Sequence, residues 1–105
     1  MSISIASDDN FKSEVLDVKG KVIVDFFAPW CGPCNMLTPQ LETFSKANPE
    51  VKVVKINIDD NPLVPTELGV RSIPTLALFK DGQHISTKVG MLNSAQIKSW
   101  IETES

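Results

Sequence analysis

The chain has 105 residues, 42% of them hydrophobic, with 10 Lys+Arg against 13 Asp+Glu and a formal net charge of -3. That length suits one domain with one core, expected to span residues 1–105, and no basic run points to nucleic acid or an anionic membrane. Its two cysteines are too few for a secreted disulfide scaffold. The opening MSISIASDDN has no basic stretch followed by an apolar one, so a cytoplasmic location is expected, with no leader and no membrane span.

Elements of both kinds alternate along the chain. Ser7 is placed to N-cap a short helix, with Asp8 and Asp9 in its first turn and Phe11, Val15 and Leu16 on one face. Gly20 ends that region. Lys21 to Phe27 (KVIVDFF) is β-branched and aromatic without alternation, the pattern of a central strand covered on both faces. Beyond FFAPWCGPC, Met36, Leu37, Leu41 and Phe44 recur at helical spacing, and Pro39 is expected to kink that helix. Val51 to Ile58 (VKVVKINI) reads as a strand. Asn61 then caps a short segment with Pro62 at its first helical position, which Pro65 keeps irregular. Thr75 to Lys80 (TLALFK) is a third clear strand, and Asp81-Gly82 is a hairpin turn returning an antiparallel strand over His84 to Val89. Asn93 with Gln96 has the form of a capping box, opening a last helix through Ile97, Trp100 and Ile101. The order (β)αβαβαββα predicts an α/β fold with a mixed sheet and helices on both faces.

Cys31 and Cys34 leave three chemistries to weigh. A structural zinc site wants four ligands and this pair supplies two, while the one histidine, His84, lies on a distant strand with no partner beside it. No metal is expected, and His84 reads as a solvent-facing residue without a role. A staple closing so short a loop constrains the unfolded chain little. Redox chemistry fits better. A strand-to-helix junction puts Cys31 at a helix start, where unpaired N–H groups and the dipole favour a thiolate, and Cys34 nearly one turn on, placed to resolve a mixed disulfide. Gly32 leaves room for a substrate chain. Pro33, at a position that needs no N–H, stiffens the pair.

The residues WCGPC, preceded by a strand carrying Asp25, resemble the active-site signature of thioredoxins. The resemblance extends to Lys55 in KINID, Asn61-Pro62, Ile73-Pro74-Thr75 and Val89-Gly90, so it covers essentially the whole chain. It implies a central five-stranded mixed sheet flanked by four helices, and protein-disulfide reduction by a Cys31/Cys34 couple with no bound cofactor. It further implies electrons from NADPH through thioredoxin reductase, a monomer, and clients such as ribonucleotide reductase, peroxiredoxin and methionine sulfoxide reductase. Phe27, Ser72 and Met91 depart from the frequent Trp, Gly and Ala. Asn35 stands where many thioredoxins have Lys, and the missing charge is expected to raise the thiol pKa slightly and weaken docking of acidic partners.

Each supporting residue has a plainer alternative. Asp25 is either a strand-end carboxylate facing water or a buried one with a raised pKa, able to take the Cys34 proton, as the resemblance also implies. Lys55 is either an exposed strand residue or, by resemblance, a neighbour that tunes Asp25. Trp30 is either a core aromatic or a partly exposed lid beside the cysteines. Pro74 could be an ordinary trans proline, but the resemblance implies a cis bond that frees the Ile73 backbone to pair with an extended substrate. With Ile73 and Pro74, Val89 and Gly90 are expected to form a flat apolar patch. A thiol oxidase or isomerase is a rival on the same fold, disfavoured by Gly32-Pro33. A binding module with an incidental cysteine pair is another, separable by replacing both cysteines.

Overall fold

The structure, a computed structural model, describes residues 3–104. Strand β1 (Ile3–Ile5) is followed by a π-helical segment (Lys12–Leu16), β2 (Lys21–Phe27), α1 (Gly32–Ala47), β3 (Lys52–Asn57), α2 (Leu63–Glu67), β4 (Thr75–Lys80), β5 (Gln83–Val89) and α3 (Ser94–Glu104). The five strands lie in the order β1-β3-β2-β4-β5. β1, β3 and β2 run parallel, while β4 is antiparallel to both β2 and β5. With its four helical segments this is the α/β architecture that the resemblance implied.

Five consecutive residues of β2, Val22 to Phe26, are buried, as a strand with no polar face requires. Val22, Val24 and Phe26 pack on one side with Phe11, Val15, Ile56 and Phe79. Ile23 packs on the other with Leu37, Leu41 and Phe44 of α1 and Ile97, Trp100 and Ile101 of α3. Each such side chain removed from water contributes about 1.5–3 kcal/mol before entropy is counted, so the sheet is anchored from both faces.

Turn chemistry agrees with the sequence at two places. Asp81 and Gly82 have φ of 50° and 82°, the left-handed pair that a tight hairpin demands. A Cβ on Gly82 would collide with the Leu16 carbonyl oxygen, so the hairpin also needs glycine for its close approach to the π-helical segment. At α3 the capping box is reciprocal: the Gln96 N–H donates to Asn93 Oδ1 at 2.8 Å and the Asn93 N–H to Gln96 Oε1 at 2.9 Å.

Elsewhere the local reading is corrected. Ser7 closes a turn instead of capping a helix, since its N–H donates to Asn10 Oδ1 at 2.7 Å and the Asn10 N–H donates to Ser7 Oγ at 3.3 Å. The helical segment that follows is π-type, with the Asp17 N–H reaching back five residues to the Lys12 carbonyl at 2.8 Å. Its wider turn keeps Phe11 and Val15 buried and rotates Leu16 outward, to 40% exposure. Met36 likewise leaves the apolar stripe of α1 for solvent, because Leu37, Leu41 and Phe44 already fill the face toward the sheet. β3 stops short of Val51 and Ile58 at its two ends, and β5 begins one residue before His84.

The largest correction concerns α2. Asn61 does not cap it, and Pro62 is the flanking residue, not the first helical one. The cap comes from Asp8, more than fifty residues earlier, whose carboxylate accepts the Leu63 N–H at 3.0 Å and the Val64 N–H at 2.9 Å. Asn61 serves this arrangement from the other side, its Oδ1 accepting the Asp8 N–H at 2.9 Å. A carboxylate on exposed helix N–H groups is favoured by charge and hydrogen bonding together. Among the described residues, no helix is long and apolar enough to cross a membrane.

Candidate redox site

β2 delivers the chain through buried Ala28 and exposed Pro29 and Trp30 to Cys31, which is the N-cap of α1 with φ -87° and ψ 111°. The Cys31 and Cys34 sulfurs are bonded to each other. The Cys34 N–H points at Cys31 Sγ, 3.2 Å away, a donor from the first helical turn aimed at the sulfur that sequence spacing marks as the nucleophile. Cys31 is 5% exposed and Cys34 1%. Gly32 and Pro33 form the exposed start of the helix, and a Cβ on Gly32 would meet nothing in this chain. Asn35 ties this turn together, its Nδ2 donating to the Pro29 carbonyl at 3.4 Å.

Beneath α1, Asp25 is fully buried, and neither carboxyl oxygen has a hydrogen-bond partner. The water-facing alternative is therefore excluded. Desolvation pushes its pKa from 3.8 up to about 7, against the opposing field of Lys55. Lys55 stands directly opposite in the β2–β3 register. It is half-buried, with Nζ donating to Thr38 Oγ1 at 2.7 Å and lying 4.5 Å from the centre of the Phe27 ring.

Around the cysteines, Trp30 is 71% exposed and its Nε1–H donates to Asp59 Oδ2 at 3.0 Å, so it is no core aromatic. Ile73 packs against the cluster of Ala28, Cys31 and Cys34, and the Ile73–Pro74 peptide is cis. Among the described residues, the Ile73 N–H and C=O make no hydrogen bond. Gly90, at φ 99°, donates its N–H to the Pro74 carbonyl at 2.8 Å and leaves Val89 63% exposed. A cleft of about 390 Å³ runs from Trp30 past Pro62 and Pro65 to Ile73. Its wall includes α2, the element that Asp8 caps.

His84 lies apart from this site, stacked on Phe79 at 5.1 Å with its Nε2 2.7 Å from Thr87 Oγ1. No cluster of three or more His, Cys, Asp or Glu that could hold a metal occurs among the described residues. Asp8, Thr38 and Asp59 were missed in the sequence. Of these only Thr38 left a trace there, a polar side chain one helical turn beyond Cys34 on the same face.

A disulfide between cysteines three residues apart sits at a helix N-terminus, just beyond the end of a central strand, and closes a loop too short to tie distant parts of the fold together. Fold and site thus define a protein thiol–disulfide oxidoreductase in which two sulfurs carry the exchanged electron pair. The family model described as thioredoxin matches residues 2–103. A thioredoxin of Rickettsia felis is 50% identical over 96 residues, covering 90% of this chain and 91% of that protein. Thioredoxin 1 of Synechococcus elongatus is 45% identical over 104 residues, 97% of each chain, and a thioredoxin of Porphyra purpurea is 45% identical over 100 residues, 94% of each. The chain belongs to the thioredoxin family, whose substrates are disulfide-bearing proteins.

Proposed function

We propose that this chain is a general protein-disulfide reductase of one domain, residues 1–105, working as a monomer in the cytoplasm. The Cys31 thiolate attacks one sulfur of a client disulfide, and the client's other sulfur leaves as a thiolate. Cys34 then gives its proton to Asp25 and attacks Cys31 Sγ. The client's second sulfur departs, leaving the client reduced by two electrons and Cys31–Cys34 oxidised. Lys55 moderates the proton affinity of Asp25. Trp30, Gly32, Pro33, Val89 and Gly90 offer a surface to the client, while the Ile73 backbone pairs with an extended client segment and Pro74 keeps it in place.

The observation that supports this reading is burial: Cys31 is 5% exposed and Cys34 1%, and Asp25, on the strand that leads to the pair, is a buried, unpartnered carboxyl with a pKa of about 7. A group that titrates near neutrality both accepts and releases a proton at working pH. Thioredoxin reductase, fed by NADPH, would restore the dithiol, and ribonucleotide reductase, peroxiredoxin and methionine sulfoxide reductase are clients of the right kind. Neither a bound cofactor nor a metal is required by this chemistry.

The test is the equilibrium potential of the Cys31/Cys34 couple, followed through Trp30 fluorescence in defined thiol–disulfide buffers. A two-electron transition near about -270 mV, the reference value for thioredoxins, is expected. A potential between about -180 and -120 mV would make the chain an oxidant or isomerase and overturn the direction proposed.

A further inference from the structure

The Lys55 ammonium is opposite Asp25 in register, and its field acts on that carboxyl, yet it donates no hydrogen bond to either oxygen. Its partners are instead Thr38 Oγ1, at 2.7 Å, and the face of the Phe27 ring. The Thr38 hydroxyl is itself oriented, because its hydrogen is directed to the Cys34 carbonyl oxygen at 3.3 Å. That leaves an oxygen lone pair for Lys55. A chain of two donors therefore runs from Lys55 Nζ through Thr38 Oγ1 to the backbone of Cys34.

We propose that Thr38 is a positioning residue for the redox step, its hydroxyl anchoring the Lys55 ammonium to the first turns of α1 and so holding it off the Asp25 carboxyl. The proposal rests on Asp25 acting as the proton acceptor for Cys34. A lysine bonded directly to a buried carboxylate stabilises its charged form and lowers its pKa by about 1–3 units. Such a carboxylate would be a weak base toward a thiol at neutral pH. With Lys55 retained by a neutral hydroxyl and an aromatic face, desolvation prevails and Asp25 keeps its high proton affinity.

The surroundings leave few competitors for this effect. β3 contributes Lys55, and β4 contributes the apolar Leu76 opposite Asp25. α1 contributes the titratable Cys34, bonded to Cys31 in this state, and α3 presents Ile97, Trp100 and Ile101 to this side of the sheet. Among the described residues, Lys55 is the one charged group whose field shifts Asp25.

Thr38→Val removes the hydroxyl at nearly constant shape, and Thr38→Ser retains it. The Asp25 carboxyl is titrated by 13C NMR in the oxidised full-length chain, and client-disulfide reduction is followed across the same pH range. In Thr38→Val the Asp25 midpoint should fall by about one pH unit, tenfold in proton affinity, with the pH profile of reduction moving the same way. Thr38→Ser should keep the native midpoint. If Thr38→Val fails to fold, Thr38→Ala removes the same hydroxyl. An unchanged or raised midpoint without the hydroxyl, or a fall in Thr38→Ser as large as in Thr38→Val, would overturn the proposal. Asp25→Asn separates the underlying reading: if it reduces clients with the native pH profile, Asp25 is not the proton acceptor, whereas the NMR midpoint of the Thr38 variants still judges where Lys55 is held.

Discussion

On one face of β2, Val22, Val24 and Phe26 meet Phe11, Val15 and Phe79 across a wholly apolar contact. On the other, Ile23 packs against α1 and α3, but two residues further on the same face holds Asp25, equally buried and without a hydrogen-bond partner. Both faces are inaccessible to water, so burial alone does not separate core from site. The difference is chemical. The first face gains from every group that it removes from solvent, while the second keeps an acid in surroundings that oppose its charge. The apolar face supplies the stability that offsets this cost, and under the mechanism proposed above the buried acid is the acceptor of the Cys34 proton.

Substitutions on the two faces should therefore fail in different ways. Cys31→Ser is expected to abolish reduction of a disulfide-bonded test protein while leaving the cooperative unfolding transition in place. Cys34→Ser should instead accumulate a mixed disulfide visible on non-reducing gels. Phe26→Ala, on the apolar face, should cost about 3–5 kcal/mol in denaturant unfolding without moving the reduction potential. A large loss of potential in Phe26→Ala would erase the distinction between the faces.

The next effect is the pH dependence of stability. Asp25 titrates near 3.8 in the unfolded chain and at about 7 in the folded one. The folded protein thus binds the extra proton between those values. Its contribution is fully present below pH 4 and is lost as the pH rises through about 7. The loss is on the order of 4 kcal/mol. Urea titrations at a series of pH values should show this decline in the native chain and its disappearance in Asp25→Ala, which should be the more stable protein above neutrality. A decline that persists in Asp25→Ala would assign the titration to another group.

A smaller effect belongs to Asp8. Asp8→Ala deprives the Leu63 and Val64 N–H groups of their acceptor and should cost about 1–2 kcal/mol. Because α2 lines the cleft beside Trp30, the KM for a protein client should rise more than kcat falls. An unchanged KM would mean that the cap serves stability alone.

What the sequence by itself determined is local. The non-alternating run of β2, the Asp81-Gly82 turn and the Asn93–Gln96 box each depend on neighbours within a few residues, so propensity and spacing suffice to place them. The two cysteines are legible for the same reason, being three residues apart at a strand-to-helix junction. Only the tertiary structure decided which partners distant residues would find. It gave the cap of α2 to Asp8, turned Leu16 and Met36 to solvent, emptied the hydrogen bonds around Asp25, and drew Lys55 to Thr38. These outcomes depend on which groups compete for a donor, a cavity or a charge once strands far apart in the chain lie side by side, and short-range pattern carries no record of that competition.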